Sequence, residues 1–108
     1  WQKLTMQQIL DVEKYEQLQR IFVRELVEQI RFKLAKGGVS GEELHDLTLE
    51  IAFSVASTID DQAIIEQEGT RVHPFLAFIG DEYEIIHCGE NSYAHELVSD
   101  VVKAVFNR

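Results

Sequence analysis

The chain has 108 residues, 45% of them hydrophobic and 27% charged, a balance that excludes a disordered segment and fits a single globular domain over residues 1–108. Its net charge of −9 is segregated: residues 1–36 carry seven Lys or Arg against five acids, whereas residues 37–108 hold fourteen acids against Arg71, Lys103 and Arg108. That field repels a phosphate backbone and argues against ordinary DNA or RNA binding, and no apolar run approaches the roughly 20 residues of a membrane-spanning helix.

Thr5 followed three residues later by Gln8 fits a capping box, and neither Gly nor Pro interrupts the chain from there to Gly37 and Gly38. The pattern predicts one long first helix, with Asp11 as a point where it can restart after a kink. Tyr15, Phe22, Val23, Leu26, Val27, Ile30 and Leu34 share one broad arc at 3.6 residues per turn and should face the core. Leu10, Ile21 and Phe32 recur every eleven residues, close to three turns, so a straight helix sets them in a second apolar row opposite that arc.

Ser40 with Glu43 makes another capping box and predicts a second helix over residues 41–59, with Leu44, Leu47, Ile51, Val55 and Ile59 directed inward. Leu49, Phe53 and Ala56 widen its apolar surface and leave a narrow polar strip at Asp46, Glu50, Ser54 and Ser57. A helix this apolar reads as buried between two layers. Residues 62–69 fit a strand, a helical turn or a loop equally well.

The texture of residues 71–88 is that of a β-hairpin, residues 72–79 and 83–88 flanking the turn pair Gly80 and Asp81. With a two- or four-residue turn, Leu76, Phe78, Tyr83 and Ile85 share the core face, and Phe75, Ala77, Ile79 and Ile86 line the other. Two strands rarely stand alone, so this sheet needs a third strand, a covering helix or a second subunit. Asn91 or Ser92 can then cap a last helix ending near Phe106, with Leu97, Val98, Val101, Val102 and Val105 as its buried stripe. The order is α-α-β-β-α and the class α+β: a long N-terminal helix, a second buried helix, a hairpin and a C-terminal helix.

Cys88 has no second cysteine to pair with, which favours a reducing, cytoplasmic setting, although a start at Trp1 rather than Met leaves room for a removed leader. The sequence His87-Cys88 at a strand end before a helix suits an anion-binding thiolate, but the phosphatase pattern H-C-x5-R needs an arginine where this chain has Ala94. A hairpin with a tight turn sets His73 opposite Cys88, so His73, His87, Cys88 and His95 are the weak candidates for a catalytic or metal site; no histidine pair has zincin spacing and no C-x2-C occurs. His45 and His95, at the margins of their helices, also read as hydrogen-bonded boundary histidines. The acids at 60, 61, 66 and 68 lack the order of a calcium loop, and no nucleotide-binding glycine motif or nucleophile elbow is present, so no cofactor and no metal are expected.

No stretch of residues ties the chain to a known family. The residues instead point to a non-catalytic protein acting through association with a protein partner, with itself as a homodimer, or both, using Leu10, Ile21 and Phe32 as its interface. Two rivals stand beside it: a small enzyme or metal-binding protein centred on the four His and Cys residues, and an acidic nucleic-acid mimic whose residues 42–68 occupy a basic groove of another protein.

Overall fold

Where the first helix begins is decided by Asp11 in the computed structural model, which describes residues 5–107. Asp11 is extended, with φ −143° and ψ 92°, and its carboxylate accepts a 3.0 Å hydrogen bond from the Lys14 amide, the geometry of an N-cap. Helix α1 therefore runs Val12–Lys36. The residues before it, Gln8–Leu10, form strand β1, so Thr5 and Gln8 do not build the capping box their spacing predicts. Strand pairing satisfies this segment's backbone: the Gln7 carbonyl accepts from the Ile85 amide at 2.8 Å, and the Asp11 amide donates to the His87 carbonyl at 3.0 Å. Leu10 consequently leaves the helix, and the eleven-residue row shrinks to Ile21 and Phe32 on α1.

At its other end α1 closes in a Schellman motif. Gly38 adopts φ 99°, and the amides of Gly38 and Val39 donate to the carbonyls of Ala35 and Leu34, each at 3.0 Å. Helix α2 then spans Gly41–Ile59, the limits read from the spacing, although Ser40 at its N-cap makes no side-chain capping bond. Its buried face is not the Leu and Ile arc. Thr48, Ala52 and Ala56, one per turn, are fully buried, while Ile51, Phe53 and Val55 are exposed. Small side chains allow the close axial approach that packing on α1 and α3 (Ala94–Phe106) requires, and the bulkier ones are displaced to the flanks. The helix is thus packed on one side rather than sandwiched. Helix α3 buries Val98, Val101, Val102 and Val105, with Leu97 packed at the margin, and these close on Val23, Val27, Ala52 and Ala56 to make the core.

Apart from β1, which precedes α1, the strands lie between α2 and α3 in sequence, completing the α+β layout. Strands β2 (Glu66–Gln67) and β3 (Thr70–Arg71) form an antiparallel hairpin that begins in the segment the sequence leaves open and extends to the Arg71 assigned to the longer hairpin. Its two turn residues, Glu68 and Gly69, have φ of 50° and 82°, the pair of left-handed conformations a type I′ turn requires.

The longer hairpin forms only as β4 (Phe78–Ile79) and β5 (Ile85–His87). Phe78 pairs with Ile86 and Ile79 with Ile85, so residues 80–84 make an odd-numbered connection, closed by a 2.8 Å bond from the Gly80 amide to the Glu84 carbonyl. An odd loop changes the parity and turns over every side chain of the second strand. The partner of Phe78 on the core face is therefore the buried Ile86, not Tyr83 or Ile85, and Tyr83 sits exposed in the turn at φ 65°. Strand β1 adds the third strand, parallel to β5, in the order β1-β5-β4. Helix α1 covers the inner face, where the Phe78 ring lies 5.2 Å from that of Tyr15 and 6.0 Å from that of Phe22. Among the described residues no helix is long and apolar enough to cross a membrane.

Candidate functional site

Asp60 ends α2 and is buried against the start of α3. One carboxylate oxygen accepts from the His95 amide at 2.7 Å and from His95 Nδ1–H, and the other accepts from the Ser92 hydroxyl. From α1, Gln19 Oε1 accepts from the Tyr93 amide at 2.8 Å. The N-terminal amides of α3 are thus satisfied by residues remote in sequence, and a carboxylate at that position also suits the helix dipole. Neither Asn91 nor Ser92 is the N-cap that local spacing predicts. Tyr93 occupies that position, while Asn91 Oδ1 accepts from the Ser92 amide and its Nδ2 donates to the carbonyls of Asp60 and Pro74 at 3.4 and 3.2 Å.

Although Asp60, Ser92 and His95 are the residue types of a nucleophilic triad, their order in space is wrong for one. A triad needs the imidazole between acid and hydroxyl so that it can take the hydroxyl proton. Here the carboxylate lies between the other two, so the Ser92 proton is already committed to Asp60. The arrangement ties the end of α2, the start of α3, α1 and the segment before β4 into one polar network.

The four His and Cys candidates do not converge. His73 donates through Nδ1–H to Asp61 at 2.8 Å, His87 Nδ1 accepts from the Gly89 amide at 3.1 Å, and the Cys88 thiol donates to the Glu90 carbonyl at 3.3 Å. Only His95 joins the Asp60 network. The tight-turn register that would set His73 against Cys88 is not adopted, and among the described residues no three His, Cys, Asp or Glu side chains are grouped to hold a metal ion. The amides at the start of α3 that would bind an anion beside Cys88 are taken instead by Gln19 and Asp60. His45 bonds Asp46 at 3.0 Å and stacks edgewise on Phe106, so both boundary histidines are hydrogen-bonded as their positions suggest. Within the acidic stretch 42–68, the burial of Asp60 and the pairing of Asp61 interrupt any continuous row of free carboxylates.

Two tyrosines beside the network are held neutral. Burial pushes the Tyr15 phenol up to about 12, and its hydroxyl donates to the Leu76 carbonyl at 2.7 Å. Burial, reinforced by the Glu16 carboxylate, likewise raises Tyr93 to about 12.

The outer face of the three-stranded sheet has a different character. Alternation from the inner row of buried Ile86 and half-buried Ile9 and Phe78 places Gln8, Leu10, Ile79, Ile85 and His87 on it, and Phe75 and Ala77 line the same groove. These side chains include no Asp, Glu, Lys or Arg, and Leu10, Phe75 and Ile79 are 63%, 57% and 60% exposed. Ile21 and Phe32, at 59% and 67%, are equally exposed on α1, but Arg24, Glu25 and Glu28 lie between them in the chain. Of the three residues expected to form an interface, Leu10 alone lies on this face of the sheet. The others in that surface escape a helical period, because neighbouring strands assemble them. No protein-family model, curated protein or solved structure matches this chain.

Proposed function

We propose that the chain is a non-catalytic association protein, of adaptor, chaperone or regulatory type, that docks a protein partner, itself or both on the outer face of its sheet. The observation that carries this reading is the uncharged group of Leu10, Phe75, Ala77, Ile79 and Ile85, which no helix covers among the described residues of a protein whose net charge is −9. Exposed apolar side chains that stand singly need no explanation, whereas a contiguous group marks a contact surface. The surrounding acids, among them Asp81, Glu82 and Glu84 in the neighbouring turn, favour a partner with basic groups at the rim.

Site-specific photo-cross-linking tests the proposal. A benzophenone side chain at position 75 should capture a protein in cells that express the chain, the same group at position 32 on α1 should capture far less, and Leu10→Glu should suppress capture at 75. Equal capture at both positions, or none at 75, would remove the sheet face from consideration.

A further inference from the structure

We infer that a second copy of this chain adds at the free edge of β4, antiparallel, so that two three-stranded sheets join into one. This inference rests on the docking role proposed for the sheet and names one occupant of it.

The main-chain geometry defines the edge. Gly80 donates to Glu84 across the hairpin, so by antiparallel alternation Phe78 also bonds to β5, and the amide and carbonyl groups of Ala77 and Ile79 point away from it. The opposite side of β5 agrees, because Ile85 and His87 bond toward β1. Just before β4, the Leu76 and Pro74 carbonyls are taken from the inner side by Tyr15 and Asn91, which continues the alternation back to Phe75. Edges of this kind template the addition of another strand.

Charge selects the occupant. Two copies that each carry −9 repel over most approaches, but residues 69–80 contain no Asp or Glu, in a chain that has nineteen acids. Antiparallel pairing centred on Ala77 sets Phe75 opposite Ile79 of the partner subunit. It also carries Asp81 and Glu82 toward the partner's Arg71, while the nearest carboxylate to Arg71 within its own chain, on Glu66, is 4.0 Å away and exposed. Size argues against face-to-face stacking alone. Three strands about 4.8 Å apart and up to three residues long make a face of roughly 140 Å² in projection, well short of the ~800 Å² per partner of a standard interface. Edge pairing adds main-chain hydrogen bonds and leaves a doubled apolar face for a protein partner.

The test is sedimentation velocity of the full chain over a range of concentrations, for wild type, Ala77→Pro, Ile79→Pro and Phe32→Glu, with circular dichroism to verify folding. Each proline deletes an N–H at the free edge and none that bonds β5. Ile79→Lys, which leaves the backbone intact, replaces any proline variant that does not fold. The wild type should be a dimer, the edge variants should weaken it at least tenfold, and Phe32→Glu, exposed on α1 away from the edge, should leave it unchanged. The amides of residues 77 and 79 should exchange slowly in the dimer and fast on dilution. A wild-type monomer at all concentrations, or a dimer indifferent to the edge variants, overturns the pairing. The docking role survives either result if position 75 still cross-links to another protein, and falls separately if it does not.

Discussion

Asp60 and Asp61 are adjacent carboxylates, each bonded to a histidine, and replacing each by Asn isolates what burial contributes. Asp60 is almost fully buried, and three donors converge on it: the Ser92 hydroxyl, the His95 amide and His95 Nδ1–H. An amide of the same shape keeps one acceptor oxygen but turns an NH2 toward a donor, leaving at least one group unpaired at a cost of about 1–3 kcal/mol. The surviving bonds lose their charge assistance, about another 1 kcal/mol. Asp60→Asn should therefore cost about 3 kcal/mol of the roughly 5–15 kcal/mol available to a small domain, a fall in Tm of roughly 12–20 °C. Asp61 faces a His73 whose side chain is 66% exposed, so that pair resembles a surface ion pair worth about 0.2–1 kcal/mol. Asn also tolerates the φ of 62° at position 61, which Ala would not. Urea denaturation followed by far-ultraviolet circular dichroism measures both variants. A difference between them of less than about 1 kcal/mol would refute the role assigned to the buried network.

Other outcomes follow from the packing and the tyrosines. Thr48 is fully buried and its hydroxyl has no hydrogen-bond partner among the described residues, so Thr48→Val should stabilise the protein by about 1 kcal/mol in the same urea assay. Ala52→Leu forces a large side chain between helices that meet through small ones and should cost about 1–3 kcal/mol, seen as a lower Tm. Tyr15→Phe should cost about 1 kcal/mol at pH 7 through loss of the bond to Leu76. The folded-state value of the Tyr15 phenol, about 12, lies above its unfolded value of 10.0, so its contribution is complete below pH 10 and is lost as pH rises through 12. Between pH 9 and 11.5 the wild type should lose about 2 kcal/mol more than Tyr15→Phe, read from urea midpoints.

Of the candidate site, only fragments are legible in the residues. Leu10 is identifiable as an apolar side chain without a place in the core arc, but a helical period groups it with Ile21 and Phe32 when it lies on a strand opposite His87 and beside Gly89. His95 is legible as a boundary histidine, whereas its partner Asp60, thirty-five residues earlier in the chain, reads simply as a helix breaker. Nothing in local spacing pairs them, because a carboxylate that caps a distant helix leaves no periodic mark.

The α+β class, the extent of α2 and the buried stripe of α3 are determined by the order of residues alone, because helical periodicity and the stop signals at Gly37, Gly38 and Asp60 act within a few turns. Tertiary structure decided the rest. Residues 8–10 became a strand because β5 offered backbone partners, and α2 turned its alanines inward because two helices had to approach closely. The parity of the hairpin followed from an odd loop. In each case the competing local states differ by little free energy, so a contact with a segment far along the chain chooses between them.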